Sequence, residues 1–329
     1  MVDVVALGEL LIDFTCQSTD GEGYPTLTAH PGGAPANFLA TLAKLGASTA
    51  LLGKVGGDPF GALLLSTLER AGIGTEGMVV DDSVFTTLAF VTLDEAGDRT
   101  FSFARKPGAD TRLRFEELEL SLIDRCRVFH FGSLSLTHEP ARSATRRAVE
   151  YARTQGRLIS YDPNLRRPLW DDPAEARAQI LWGLGQAHVA KLSDDEVDFL
   201  FGLEPREGAR HILSHHGPEL VFVTCGAAGC WYQTARAEGF VPALPGLAVA
   251  DTTGAGDIFG GSALWKLLQT GKEIAALNDA QLTDIVTFAN TAAGLSVTQP
   301  GGIPAIPTLH QITAHLPTGT EHGSAGRRM

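Results

Sequence analysis

Short apolar stretches typical of buried strands alternate with stretches of helical spacing along most of this chain. Residues 4–7 are an apolar run, residues 50–55 are strand-like and precede a turn, and residues 60–71 carry helix-like spacing that ends at Gly72. The same order returns later, with strand, helix and strand predicted over residues 128–131, 139–155 and 158–161. Because neighbouring parallel strands are joined by helical crossovers, this alternation predicts an α/β fold built on a mostly parallel sheet.

One segment interrupts the alternation. Residues 86–93 and 100–104 are β-prone, and residues 94–98 between them are typical of a turn. Two strands joined in this way form an antiparallel hairpin, which is an insertion in an otherwise alternating chain. The sequence therefore predicts a small lid attached to the main sheet.

The sequence Asp-Thr-Thr-Gly-Ala-Gly-Asp occupies residues 251–257 and precedes an apolar run that stops at Gly271. The run predicts a buried helix whose first turn contains Gly254, Ala255 and Gly256, where backbone N–H groups have no partner within the helix. Small residues let an anion approach these groups, and the helix dipole adds roughly half a positive charge there. The motif therefore predicts an anion site, for example for a phosphate.

Asp257 would lie beside that anion and repel it, so a role in moving a proton explains its presence. The start of a helix is expected to keep Asp257 ionised at neutral pH, as a general base requires. Two other interpretations stay open at this point. Gly254, Gly256 and Gly260 resemble a dinucleotide fingerprint, although that motif opens a βαβ unit with an acid about 20 residues later. Alternatively, the glycines only permit close helix packing, and Asp257 is a favourable charge at a helix N-terminus.

Further polar residues lie where strands are predicted to end or helices to begin. Asp13 ends the first apolar run, and Gly32 and Gly33 precede a predicted helix that contains Asn37. Ligands of open α/β sheets bind at the carboxyl ends of strands, so these residues are candidates for a binding site. Other candidate segments are the polar cluster at 162–167, the capping box at 193–196, the glycine-rich turn at 225–229 and the helix that carries Asn290.

Bulk properties exclude several classes of function. The chain has 329 residues, 44% hydrophobic and 19% charged, which suits a folded protein of one domain with an insertion or of two domains. Its net charge of −12 disfavours nucleic acid as a partner, and polar residues interrupt the uncharged region 285–320 before it could span a membrane. The four cysteines lack metal-site or disulfide spacing and the N-terminus lacks a signal pattern, so a cytoplasmic location is expected.

Together these motifs resemble the ribokinase-like (PfkB) family of sugar kinases from residue 4 to about residue 307. The likeness rests on residues 31–37, Pro-Gly-Gly-Ala-Pro-Ala-Asn, and above all on residues 251–257. Within the family, residues 131–133, 162–166, 169–170 and 191–196 are most similar to those of fructokinases.

The resemblance implies a three-layer α/β sandwich with a mostly parallel central sheet and a small β-sheet lid. It implies a single kinase domain over residues 1–316, with the lid formed by about 13–31 and 84–108. The polar residues 317–329 are expected to be a disordered tail. An inserted hairpin also offers a free strand edge, so a homodimer formed through the lid is expected.

The resemblance also implies roles for individual residues. Asp257 would be the general base, and Gly254, Ala255 and Gly256 would form the anion hole. The residues implied to bind the sugar are Asp13, Gly32, Gly33, Asn37, Phe103, Arg105 and Arg166. Those implied to bind ATP are Lys191, Ser193, Thr224, Gly226, Gly229 and Asn290. The residues implied to hold ions are Glu196, which would place Mg²⁺ through water, and Asp251 and Thr253, which would bind a monovalent cation such as K⁺.

The activity implied by the resemblance is ATP-dependent phosphorylation of D-fructose at its 6-hydroxyl. A 2-keto-3-deoxygluconate kinase is an alternative, because Arg105 and Arg166 could pair with the carboxylate of a sugar acid. A ribokinase is another, whereas an adenosine kinase is disfavoured because the hairpin lacks an obvious stacking pair for a purine. A non-catalytic sugar- or nucleotide-binding regulator belongs to a different class, and the presence of Asp257 with its anion turn argues against it.

Overall fold

The computed structural model describes residues 2–93 and 99–316, in which strands and helices alternate as the sequence predicts. The strands are β1 (Val2–Leu7), β2 (Leu11–Thr19), β3 (Pro25–Gly32), β4 (Thr49–Gly56), β5 (Ile73–Gly74), β6 (Met78–Asp81), β7 (Leu88–Leu93), β8 (Arg99–Ala104), β9 (Cys126–Gly132), β10 (Leu158–Asp162), β11 (Val189–Ser193), β12 (Leu220–Thr224), β13 (Gly229–Thr234) and β14 (Glu238–Pro242). The helices are α1 (Ala34–Lys44), α2 (Pro59–Arg70), α3 (Leu120–Arg125), α4 (Ala141–Thr154), α5 (Pro173–Gln186), α6 (Asp194–Phe201), α7 (Pro205–His215), α8 (Ala255–Gln269), α9 (Asp279–Ser296) and α10 (Leu309–Ala314).

The larger sheet has the strand order β14-β13-β12-β11-β10-β9-β1-β4-β5, and β6 also pairs with β4. Its strands run parallel from β12 to β5, while β13 and β14 are antiparallel additions at one end. The prediction of a mostly parallel central sheet is therefore confirmed. Parallel strands place their carboxyl ends along one edge, where Asp162 ends β10 and Ser193 ends β11.

Helices cover both faces of this sheet, and the alternation of side chains in β1 shows how. Val4 and Ala6 belong to the hydrophobic core shared with α1, α8 and α9. Val5 and Leu7 belong to a second core, which they share with α4 and α5. Because successive residues of a strand point to opposite faces, a strand that is apolar throughout must be covered twice. The predicted three-layer sandwich is confirmed.

A second, smaller sheet has the order β3-β2-β7-β8 and forms the predicted lid. The hairpin that the sequence predicts over 86–104 corresponds to β7 and β8, and its predicted turn at 94–98 lies outside the described residues. A second hairpin, β2 and β3, pairs with β7 through β2. Residues 317–329 also lie outside the described part of the chain, so the prediction made for them stays a prediction. Among the described residues, no helix is both long enough and apolar enough to cross a bilayer.

Candidate active site

The first turn of α8 has the geometry that the sequence predicts for an anion site. Gly254 is the N-cap and adopts a left-handed conformation with φ of 75°. The backbone angle favours glycine, and a Cβ at this residue would lie a tight 3.1 Å from the Cα of Gly302. Ala255 and Gly256 then begin the helix, whose first N–H groups have no intrahelical partner.

Asp257 lies in this first turn and faces a large cavity. Its Oδ2 accepts a hydrogen bond of 2.9 Å from Nδ2 of Asn37 on α1. Burial and the charge of Asp162 raise the pKa of Asp257 to about 6, against the opposing effects of the Asn37 hydrogen bond, Lys191 and Arg166. The helix start was expected to hold this pKa low, but desolvation outweighs it. With a pKa of about 6, roughly nine in ten Asp257 side chains are still ionised at pH 7.

Lys191, on β11, brings a positive charge to the same turn. Its Nζ lies 3.0 Å from Oδ2 of Asp162 and 3.0 Å from the place where a Cβ of Gly256 would stand. Burial alone would lower the pKa of Lys191, but the carboxylates of Asp162, Glu196 and Asp257 outweigh it and the pKa is raised. A lysine that stays charged beside a helix N-terminus suits the recognition of a phosphate.

Glu196 is buried at the start of α6, where the predicted capping box is present. Its Oε2 accepts the N–H of Ser193 at 2.8 Å, and Oγ of Ser193 accepts the N–H of Glu196 at 3.2 Å. Its Oε1 accepts the N–H of Leu165 at 2.7 Å. Burial and the charge of Asp162 raise the pKa of Glu196. Since both carboxylate oxygens already hold backbone groups, contact with a metal ion through water fits this residue better than direct ligation.

Asp251 organises the loop that leads into α8. Its Oδ1 accepts hydrogen bonds from the N–H and the Oγ1 of Thr253, at 2.9 and 2.7 Å. Its Oδ2 accepts the N–H of Gly301 at 2.8 Å. The carboxylate therefore ties residues 251–253 to the 301 region, immediately before the anion turn.

A cavity of about 1360 Å³ lies between the lid and the edge of the main sheet. It is larger than the roughly 300–1,000 Å³ of a typical small-molecule pocket, so it could hold two ligands side by side. The predicted site residues that line it are Asp13, Gly33, Asn37, Phe103, Arg166, Lys191, Ser193, Glu196, Asp251, Thr253, Gly254 and Asp257. The structure thus brings most of the predicted site together from residues far apart in sequence.

At the lid side of the cavity, Asp13 on β2 faces Gly32 and Arg166. Burial raises the pKa of Asp13 to about 6, while the positive charge of Arg166 lowers it. A Cβ at Gly32 would collide with the carboxylate of Asp13. The absence of a side chain at Gly32 therefore leaves room for this carboxylate. Gly33 has φ of 119°, and a Cβ there would lie 2.6 Å from the carbonyl oxygen of Glu9.

Arg105 was predicted to lie near the sugar, but the described residues that line the cavity do not include it. It is buried, and its Nε donates to Oδ2 of Asp110 at 2.8 Å. Its Nη1 donates to Oγ1 of Thr137 at 2.8 Å, and its Nη2 to the carbonyl of Leu134 at 3.0 Å. All three guanidinium nitrogens therefore have protein partners just beyond the end of β8.

The predicted ATP residues around the β12–β13 turn lie near one another but away from the lining of the large cavity. The side-chain amide of Asn290 donates to the carbonyls of Val241 and Pro242, at 2.9 and 3.1 Å. Gly229 has φ of 133°, and a Cβ there would collide with the backbone of Val241 and Pro242. The other two predicted residues here are Thr224, whose hydroxyl donates to the carbonyl of Leu192 at 3.2 Å, and Gly226, which has φ of 50°. Their role in binding ATP stays a prediction.

Sequence reasoning did not single out Glu9, and it noted Asp162 and Asn164 only as members of the polar cluster at 162–167, although all three line the site. Oδ1 of Asp162 accepts the N–H of Asn164 at 3.1 Å, and Oδ2 holds Lys191. The usable signal was their position, because each lies at or directly after the carboxyl end of a buried strand.

A sequence model of the pfkB family of carbohydrate kinases matches residues 1–309. The chain belongs to this family. Probable fructokinase-4 of Arabidopsis thaliana is 42% identical to this pfkB kinase over 317 residues, which cover 95% of this chain and 96% of the relative.

Solved structures of other family members superpose on most of this pfkB kinase. A fructokinase of Xylella fastidiosa with bound ATP has a TM-score of 0.87 at 30% identity, covering 96% of this chain and 98% of its own. A fructokinase of Vibrio cholerae O395 with fructose, ADP and calcium has a TM-score of 0.84 at 33% identity, covering 96% and 99%. The predictions of the family and of the ribokinase-like fold are confirmed.

Removal of the Asn37 amide is expected to shift the pH dependence of this kinase. The hydrogen bond from Asn37 favours the ionised form of Asp257, so Asn37→Ala should raise the pKa of Asp257 above about 6. The acidic limb that Asp257 gives to kcat/KM for the sugar should then move to higher pH, as measured by rate profiles between pH 5 and 9. Asn278→Ala removes an exposed amide that caps α9 and lies outside the cavity lining, so it should leave that limb in place. An unmoved limb in Asn37→Ala would count against the coupling.

Proposed function

We propose that this protein is an ATP-dependent fructokinase that transfers the γ-phosphoryl group of ATP to the 6-hydroxyl of D-fructose. The observation that carries the proposal is the placement of Asp257. It lies within the anion-binding turn of α8 and faces a cavity large enough for a sugar and a nucleotide. The fructokinase names of the relatives, at 42% identity over nearly the whole chain, support the choice of sugar.

Each residue of the site has a distinct role in phosphoryl transfer. Asp257, held by Asn37, accepts the proton of the sugar hydroxyl as the hydroxyl oxygen bonds to the γ-phosphorus of ATP. The bond from that phosphorus to the β–γ bridging oxygen breaks at the same time, and ADP leaves. The N–H groups at Gly254, Ala255 and Gly256 would face the negative charge of the migrating phosphoryl group, although the N–H of Ala255 also donates to the carbonyl of Thr252 at 3.3 Å. Lys191 adds a positive charge beside the same turn. The lid keeps water away from the reacting atoms, which protects ATP from hydrolysis.

The site suits Mg²⁺ bound mainly through phosphates and water. Among the described residues, no group of three or more His, Cys, Asp or Glu side chains could hold a metal ion alone. Mg²⁺ commonly binds through one or two carboxylates together with substrate phosphates, which agrees with Glu196 acting through water. The ion would neutralise phosphate charge during transfer. Asp251 and Thr253, which order the loop before α8, are the proposed site for a monovalent cation such as K⁺.

The electrostatics of the cavity favour a neutral sugar over a sugar acid. The alternative substrate 2-keto-3-deoxygluconate would need Arg105 and Arg166 for its carboxylate, but Arg105 is held by Asp110, Thr137 and Leu134. Near the lid, Asp13 and Glu9 would oppose a further negative charge. The hydroxyls of fructose, in contrast, can donate to such carboxylates.

A coupled assay of ADP release tests this assignment on fructose, ribose, 2-keto-3-deoxygluconate and adenosine. We expect fructose to give the highest kcat/KM by at least about tenfold, which corresponds to about 1.4 kcal/mol of transition-state discrimination. A higher value with ribose or the sugar acid would move the assignment to that substrate. Turnover of none of the four would favour the non-catalytic regulator.

We also propose a homodimer formed through the lid, in a cytoplasmic location. In the small sheet β3 and β8 lie at the two edges, and on the β2–β3 hairpin Tyr24 and Leu27 expose apolar surface. The four cysteines are free thiols, the state that a reducing compartment maintains.

A further inference from the structure

The start of α1 takes its hydrogen-bond acceptor from a distant residue. The N-cap is Gly33, which has no side chain, and Pro35 at the second helical position has no N–H. The N–H of Ala34 donates instead to Oε1 of Glu9 at 3.1 Å, across 25 residues of sequence. Glu9 therefore does for α1 what a Ser or Asp N-cap does for other helices.

This capped turn carries the group that holds the proposed base. The N–H of Asn37 donates to the carbonyl of Gly33 at 3.1 Å, so the position of Asn37 depends on the geometry of the first turn. The side chain of Asn37 in turn donates to Asp257. A continuous path of hydrogen bonds and one helical turn thus joins Glu9 to Asp257.

Glu9 and Asp257 also line one small chamber in the protein. The chamber has a volume of about 10 Å³, close to the minimum for one water molecule, and Glu9, His130, Asp162 and Asp257 contribute to its lining. Glu9 itself is only 3% exposed. It also lines the large cavity, so its carboxylate acts from the wall of the site.

Several charged groups face Glu9. The pKa of Glu9 is raised to about 7, mainly by burial and also by the charge of Asp110. Arg105 and the N–H of Ala34 act in the opposite direction. Asp162 and Asp257 lie across the chamber, and burial lowers the pKa of His130 to about 3, so that imidazole stays neutral. Because its pKa is raised, Glu9 loses its charge as the pH falls through about 7, and its hydrogen bond to Ala34 weakens.

We propose that Glu9 is a positioning residue that caps α1 and thereby sets Asn37 against Asp257 for proton transfer. The proposal rests on the proposed function of Asp257 as the base. It goes beyond that function by assigning a role to a carboxylate that touches neither the phosphoryl group nor the attacking hydroxyl.

Two variants of Glu9 distinguish the effect of its hydrogen bond to Ala34 from the effect of its negative charge. Glu9→Gln removes the charge and keeps an oxygen for Ala34, whereas Glu9→Ala removes both. We expect Glu9→Ala to lower kcat for the sugar about tenfold, the effect of about 1.4 kcal/mol, with KM for ATP unchanged within about twofold. Glu9→Gln should keep most of kcat. The protonation of Glu9 near pH 7 should therefore change kcat of the unaltered enzyme by no more than this substitution does.

A measurement without substrate keeps this proposal separate from the proposed function. The pKa of Asp257, followed by ¹³C NMR of its carboxyl group, should be higher in Glu9→Ala than in Glu9→Gln, because only the former misplaces Asn37. The amide of Ala34 should exchange faster in Glu9→Ala alone. Equal pKa values of Asp257 in the two variants would overturn the proposal, as would unchanged kcat in a Glu9→Ala protein that is merely less stable. Failure of the unaltered protein to phosphorylate any sugar would instead refute the proposed function.

Discussion

Replacement of Asp257 by asparagine is expected to lower kcat for the sugar by at least about 100-fold, the usual contribution of a general base. Asparagine preserves the size of the side chain but cannot accept the proton of the attacking hydroxyl. The charge that Asp257 presents beside the anion turn also disappears, so binding of ATP should be retained or slightly improved. Steady-state assays with both substrates, together with ATP binding by calorimetry, separate these effects.

Asp279→Asn is the matched control for this experiment. Asp279 is also an acid in the first turn of a helix, α9, but it is exposed and lies outside the cavity lining. Its replacement should leave kcat within about twofold of the unaltered enzyme, since exposed substitutions rarely cost more than about 0.5 kcal/mol. Wild-type turnover in Asp257→Asn would remove Asp257 from the role of base.

The second large effect is expected on stability, from Asp110→Asn. Asp110 and Arg105 form a buried pair in which both side chains are at most 3% exposed. Removing the negative partner leaves the guanidinium charge buried, which typically costs about 3–5 kcal/mol. The hydroxyl of Thr87, just before β7, also loses a charged acceptor. We expect a lower midpoint of denaturant unfolding, measured with an unchanged slope.

The exposed pair of Lys106 and Asp171 provides the control for that measurement. These side chains are 75% and 81% exposed at a separation of 3.3 Å, so Asp171→Asn should cost less than about 1 kcal/mol. Equal losses from the two substitutions would show that burial of the Arg105 pair contributes little. A raised KM for the sugar in folded Arg105→Lys, without loss of stability, would support the sugar-binding role predicted for Arg105.

Most of the main sheet was predictable because its strands are buried on both faces and therefore apolar throughout. Residues 4–7 and 158–161 both lie in strands of that sheet, with bounds that differ by at most two residues. The β2–β3 hairpin gave no such signal from residue patterns. Its outer part, from Cys16 to Thr19, is exposed and polar, so the periodicity that marks a strand is missing.

At the site, short motifs were predictable and long-range partners were not. The anion turn and the capping box at Ser193 depend on neighbours in sequence, so their geometry follows from local rules. The pKa of Asp257 depends on Asp162 and Asn37, which only the tertiary fold brings near. Arg105 shows the same limit, because its partner Asp110 lies close in sequence but its burial could not be foreseen.

The central place of β1 has a consequence for synthesis of the protein in the cell. On one side Leu7 pairs in register with Leu52 of β4, and on the other with Phe131 of β9. A nascent chain emerging from the ribosome can therefore fill the first edge of β1 long before the second. Until residue 131 has emerged, an apolar strand keeps an open edge of the kind that recruits other chains. Translation through the β4–β9 interval is thus a period in which molecular chaperones have an apolar strand edge to protect.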